Sequence, residues 1–332
     1  MPADLEGVPA TKIIEGADIL IRVCGRLKPD ERIAIVCDTG TRPLGDILAE
    51  RAALVTSKVH LVEVPPFDMH GQEPPPHAAD EMRLADLCLG ITAKSMVHTT
   101  ARREAAAKGT RYLSLPDYSA ALLAHESLRA DFEARGRIGD RIAAAFTAGS
   151  EVRVTSPAGT DVRMDIAGRI GASTPGFVAE PGAMSSPPDI ECYVAPIETS
   201  ARGIVVVDGS IPYPTLGLVA APVRLTIAGG SVTDVASERD ELAREVQRVF
   251  ESVGTPKSRV LAECGVGLND LAKLTGIMLT DEGAAGTMHF GFGSNFTIGG
   301  INEVPFHLDV VMRDPTLVVD GRVLIERGTV RI

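Results

Sequence analysis

Two domains are expected: an α/β N-terminal domain with a parallel sheet, then a mostly antiparallel, β-rich (α+β) metal-binding domain. Three observations lead there. Residues 31–115 alternate short, β-branched apolar runs with helical stretches, the rhythm of parallel strands joined by crossover helices. From residue 149 the pattern turns to strands joined by tight turns, as in hairpins. Every candidate metal ligand lies in this second part. The boundary falls at 148/149, giving an α/β domain at 1–148 and a catalytic domain at 149–332.

Glu31–Asp38 reads as a buried strand, and Asp38-Thr39-Gly40-Thr41 supplies turn and N-cap chemistry for a helix from Pro43 to Ser57. Val59–Val64 is the next strand, ended by Pro65-Pro66. Leu84–Ile91 and Thr110–Leu115 are two more, separated by a helix from about Thr99 to Lys108. No glycine-rich nucleotide fingerprint follows any of these strands. A helical segment from Tyr118 to Ala148 completes the domain. In the second part, Glu151–Ser156 and Asp161–Ile166 flank Pro157-Ala158-Gly159-Thr160 as a hairpin. Strands follow at Gly203–Asp208, Val223–Ile227 and Ser231–Val235, with a helix at Glu238–Val253. Thr174–Pro188, rich in Pro, Gly and Ser, is expected to be a long loop serving as a flexible lid.

Composition narrows the function. The 332 residues are 45% hydrophobic and 23% charged, ordinary for a globular protein with ample core. A net charge of -11 argues against a general nucleic-acid footprint. No run approaches the roughly 18 apolar residues needed to span a bilayer. Met1-Pro2-Ala3-Asp4-Leu5-Glu6 lacks the basic and apolar regions of a secretory signal, so the cytoplasm is expected. Five scattered cysteines with no CxxC pair indicate neither a zinc knuckle nor a disulfide framework. The expected partners are a small-molecule substrate and further copies of the chain, with no nucleic acid and no membrane.

The chemistry concentrates in Pro305-Phe306-His307-Leu308-Asp309-Val310-Val311-Met312. On a strand, residues i and i+2 face the same side, so the imidazole of His307 and the carboxylate of Asp309 converge. His289 lies in Gly286-Thr287-Met288-His289-Phe290-Gly291-Phe292-Gly293, and Glu263 in Glu263-Cys264-Gly265-Val266-Gly267. Glu198 follows Pro196 just before a strand. One or two His with carboxylates is the ligand set of a catalytic metal with open positions. His98, between a strand end and a helix start, is a candidate general base or substrate donor. Glu282 is a second candidate acid/base. Arg42 and Arg313 are candidates for gripping a substrate carboxylate. His60, His70, His77 and His125 read as solvated or structural, and Cys264 as core.

In order, Pro-x-Glu198, Glu263-x-Gly265-x-Gly267, Asp281-Glu282 followed by His289, and His307-x-Asp309 resemble the metal-binding pattern of the aminopeptidase T family. The resemblance implies a metal pair held by Glu198, Glu263, His289, His307 and Asp309. It also implies zinc, manganese or cobalt, one or two ions, with Glu282 or His98 handling protons. The implied activity is hydrolysis of an amide or related bond in a small molecule. That family has a Tyr shortly after the His, where this chain has Asn295 or Phe296. The chain length and N-terminal half resemble a divergent branch, 2,5-dihydroxypyridine 5,6-dioxygenase, a mononuclear iron(II) ring-cleaving enzyme. Pro305–Asp309, the segment Gly293-Ser294-Asn295 with Gly299-Gly300, and His98 carry that likeness. In that branch the position of Glu263 is His, and that of His289 is not a ligand. A binding protein that kept the fold without catalysis is disfavoured, because it has no physical reason to retain five convergent ligands.

Overall fold

The computed structural model describes Leu5 and residues 7–332. Apart from Leu5, the stretch 1–6 read above for a leader lies outside the described residues. The chain divides into two compact units, Met1–Phe132 with Gly176–Pro187, and Glu133–Pro175 with Pro188–Ile332. Most of the helix Phe132–Ala148 and the excursion 176–187 therefore fall otherwise than the cut at 148/149.

The first unit is built on an all-parallel sheet of five strands, in the order 59–64, 33–38, 87–91, 111–114, 184–185. Ile33–Asp38 is buried at every position because strands flank it and helices cover both faces. Helix Arg42–Ala52 covers the face of Cys37 and Leu61, where Gly45 gives close approach. Helices Pro76–Leu84 and Thr100–Ala107 bury Ala78, Met82, Ala101 and Ala105 against Val36, Val62, Cys88 and Tyr112 on the other.

Several expected boundaries move, each for a local reason. Helix 42–52 stops short of Ser57 because the Thr56 hydroxyl donates to the Glu31 carbonyl at 2.8 Å and turns the chain into the next strand. Leu84 ends a helix opened by Pro76, so its strand begins only at Leu87. The segment Tyr118–Ala148 breaks into Ala120–Leu123, a 3₁₀ turn Glu126–Arg129 and Phe132–Ala148, with Ser119 and His125 capping the first two. The expected lid is largely pinned down: Met184–Ser185 extends the parallel sheet beside Tyr112 and Leu113. The Val178 amide donates to Cys24 and the Tyr118 hydroxyl to the Pro187 carbonyl.

The second unit holds two antiparallel sheets. Eight strands run in the order 231–237, 223–228, 202–207, 161–165, 151–155, 316–319, 322–326, 329–330, including the expected hairpin. The other sheet carries four long strands, here β1 (Glu191–Val194), β2 (Leu261–Gly267), β3 (Thr287–Gly293) and β4 (His307–Arg313). Their spatial order is β4-β3-β2-β1, with 210–211 and 217–218 beyond β4 and 172–174 beyond β1. Alternation sends Cys192, Cys264, Val266, Met288, Phe290, Phe292, Leu308, Val310 and Met312 into the core. Phe250, from helix Asp240–Glu251, meets Phe292 edge-on at 5.5 Å. Among the described residues no helix is long and apolar enough to cross a membrane.

Arg111 is the buried polar anchor of the first unit. Its guanidinium donates to the Gly25 carbonyl at 2.7 Å and to Glu31 at 2.5 Å, with only 7% of the side chain exposed. Removing one partner strands the other's charge. Arg111→Ala is expected to cost about 3–5 kcal/mol in a urea unfolding titration; a loss below about 1 kcal/mol would contradict this account.

Candidate metal centre

Register builds the site. Across β2, β3 and β4, Glu263 faces Gly291 and Gly291 faces Asp309. One step along, Gly265 lies between His289 and Tyr193, while His307 sits opposite Gly293 and Glu191 opposite Gly267. Strand periodicity then puts Glu191, Tyr193, Glu263, His289, His307 and Asp309 on the face away from the core. The intervening glycines clear the room. A Cβ on Gly265 would collide with the His289 ring, and one on Gly291 would stand 2.7 Å from His307 Nε2. These glycines are needed for close approach rather than for backbone freedom.

Two groups of three donors result, sharing Glu263: Glu191, Glu263 and His289, and Glu263, His307 and Asp309. His289 Nε2 lies 3.1 Å from Glu191 and 3.7 Å from Glu263. His307 Nε2 lies 3.3 Å from Asp309 and 3.5 Å from Glu263. The second nitrogen of His307, Nδ1, is 3.0 Å from the Ser294 carbonyl, and that of His289 is buried without a hydrogen-bond partner among the described residues.

Charge is the dominant feature. Five carboxyl groups (Asp189, Glu191, Glu263, Glu282, Asp309) crowd two imidazoles. Burial first, then Asp309, Glu191 and Asp189, pushes Glu282 well above the usual carboxylate range, and it hydrogen-bonds to Asp309 as the neutral acid. Asp189 is raised the same way and hydrogen-bonds to Glu191. Burial also raises Glu263. Burial works against charge on His307, but Asp309 and Glu263 push its imidazole up to about 10. Asp309 is itself held down to about 2 despite burial, chiefly by His307. Burial opposes charge on His289 too, yet Glu191 and Glu263 keep it well above its ordinary value. Protons on the imidazoles stand where a divalent cation's charge would. Oxygen and imidazole donors converging over a glycine-cleared floor fit a metal ion.

The structure brings together Glu263, His289, His307, Asp309 and Glu282. Glu198 is the correction. Its carboxylate is occupied by Arg169 at 2.6 Å, the Asn295 side chain at 2.9 Å and the Ile301 amide at 2.8 Å, and it belongs to neither donor group. A salt bridge and two hydrogen bonds commit both of its oxygens to other partners. Glu191 takes the place expected of it. The sequence held a signal: Asp189-Ile190-Glu191 repeats the i, i+2 spacing of His307-Leu308-Asp309 at the mouth of an alternating strand. His98 lies in the first unit, exposed, in the turn before helix 100–107, its carbonyl accepting from Arg103. Arg42 is paired with Asp46 and Glu63, while Arg313 donates through Nε to the Asp208 carbonyl.

Comparison with known proteins follows the same lines. A family model described as 2,5-dihydroxypyridine 5,6-dioxygenase matches residues 20–332. A 2,5-dihydroxypyridine 5,6-dioxygenase of Pseudomonas putida KT2440 is 24% identical over 310 residues, covering 85% of each chain. The solved structure of 2,5-dihydroxypyridine dioxygenase from the same organism superposes with a TM-score of 0.83 at 20% identity, covering 98% of both chains. Wild-type AmpT from Thermus thermophilus superposes with a TM-score of 0.69 at 16% identity, covering 97% of this chain and 99% of its own. These two structures share the fold.

If the glycine floor makes the site, Gly291→Ala should leave the far-ultraviolet circular dichroism unchanged while displacing His307. Zinc(II) binding followed by calorimetry should weaken by roughly 10-fold or more, within the 10–100-fold typical of residues that orient ligands. Unchanged binding would contradict the placing of His307 over this floor as a metal ligand.

Proposed function

This chain belongs to the 2,5-dihydroxypyridine 5,6-dioxygenase family, and we propose from that premise that it is a non-haem iron(II) enzyme cleaving a hydroxylated N-heterocyclic or aromatic ring. The observation that carries the reading is the convergence of Glu263, His307 and Asp309 in a chain matched by that family over residues 20–332. Those three residues would hold the iron. Iron(II) on a face of imidazole and carboxylate donors supplies redox chemistry toward dioxygen while leaving positions for a bidentate substrate.

The chain's own groups prepare the site for this. The Ser294 carbonyl and Nδ1 of His307 face each other, leaving Nε2 toward the donor cluster. Glu282, kept neutral by burial and by its acidic neighbours, holds a proton against Asp309 and is placed to return it. The partly exposed edge of His307, 36% accessible, gives the cluster a side open to substrate.

A second reading is favoured by a specific observation. Glu191 and His289 form a further donor group with Glu263, which one metal leaves unused. Two ions sharing Glu263 would suit hydrolysis of an amide or related bond, with zinc, manganese or cobalt.

Metal analysis of anaerobically purified protein separates the readings. One iron per chain, with dioxygen uptake on a dihydroxypyridine, is expected for ring cleavage. Two zinc, manganese or cobalt ions per chain without dioxygen uptake would overturn it in favour of hydrolysis. Under the one-iron reading His307→Ala and Asp309→Ala lose the metal, and His289→Ala retains it. Under the two-metal reading His289→Ala lowers the count from two to one.

A further inference from the structure

We infer that Glu198 and Arg169 are positioning residues for His307, acting through the loop 294–302. The inference rests on the reading of His307 as a metal ligand. Arg169 reaches with both arms of its fork: one nitrogen to Glu198 and the other to the Gly299 carbonyl, each at 2.6 Å. The other Glu198 oxygen accepts from the Asn295 carboxamide and the Ile301 amide. Asn295, wholly buried, accepts from the Asn302 amide at 2.9 Å. Asn302 in turn donates to the Gly293 and Lys257 carbonyls at 2.6 and 2.9 Å. The chain of bonds therefore closes the loop on itself and ties it to the end of β3.

Apolar packing adds little here, Ile298 being only half-buried. Phe296 is 57% exposed and Ile301 78%, so the loop is held by this polar latch rather than by packing. One product of that order reaches the site. Ser294, the first residue of the loop, presents its carbonyl 3.0 Å from His307 Nδ1 while its amide donates to Phe306, adjacent to His307. Fixing one imidazole nitrogen on a backbone carbonyl sets the ring plane and aims the other at the metal position, as hydrogen-bond partners of ligand histidines commonly do.

Both Glu198 and Arg169 have side chains under 15% exposed. Replacing one alone leaves a partly buried charge, so a variant outside the ion pair is also needed. Gly300 serves: a Cβ there would run into the Asn295 carboxamide and dislodge the latch without altering a charge.

The test uses the metal-free full chain with nitrogen-15-labelled histidine, and zinc(II) alone as probe. In the wild type the His307 Hδ1 proton should give a sharp, slowly exchanging resonance. In Glu198→Ala and Gly300→Ala it should broaden, the amides of Gly300, Ile301 and Asn302 should exchange faster, and zinc should bind roughly 10–100-fold more weakly. Glu198→Gln, which keeps one acceptor for Asn295 and Ile301, should fall between wild type and Ala. If Glu198→Ala and Gly300→Ala both free the loop amides yet keep the Hδ1 signal and wild-type zinc affinity, the inference is wrong. His307→Ala run in parallel tells the two failures apart. If that variant binds zinc like wild type, the metal-centre reading itself has failed; if it alone loses zinc, only the positioning role has.

Discussion

Glu263 is the constraint on which the second unit is arranged. It faces both imidazoles at once, belongs to both donor groups, and sits on a central strand with only 8% of its surface exposed. A carboxylate so placed is costly unless cations surround it. The surrounding residues answer that demand: two imidazoles drawn up in pKa, and two outer carboxylic acids kept neutral beside Glu191 and Asp309. With more acids than imidazoles at the centre, a divalent ion suits it better than the protons standing in for it.

The sheet meets this need by dividing labour between its faces. One face of β2, β3 and β4 is a continuous apolar surface of Phe, Leu, Val and Met, each fully buried side chain contributing roughly 1.5–3 kcal/mol. The other carries Glu263, His289, His307 and Asp309, interleaved with Gly265, Gly267, Gly291 and Gly293. The glycines weaken the strands by their missing side chains, and the apolar face offsets that loss. Stability and chemistry thus come from alternate residues of the same strands.

Family membership and donor chemistry pull in different directions here. The matching family is described as 2,5-dihydroxypyridine 5,6-dioxygenase, while Glu191 and His289 supply, with Glu263, a second three-donor group beside the first. The fold is shared with AmpT as well as with the dioxygenase, so it decides nothing between them. What distinguishes the chemistries is how many ions the same few ångströms of sheet hold, and that depends on the side chains at Glu191, Glu263 and His289.

Much of this was legible in the sequence. The parallel α/β rhythm of the first unit, the antiparallel character of the second, and the convergence of His307 with Asp309 all follow from local periodicity, which the chain carries in every run of residues. Glu263, His289 and Glu282 were legible as candidates from their setting and their resemblance to a known pattern. Periodicity could not say which strands lie side by side. Glu191 joins the cluster only because β1 pairs with β2 so that it faces Gly267, and Glu198 leaves it only because Arg169 and the loop 294–302 claim its oxygens. Both are acids near a strand, seven residues apart, and the spacing of Asp189-Ile190-Glu191 marks a candidate without deciding between them. Cross-strand register and competition among distant donors separated them, and those are properties of the folded chain alone.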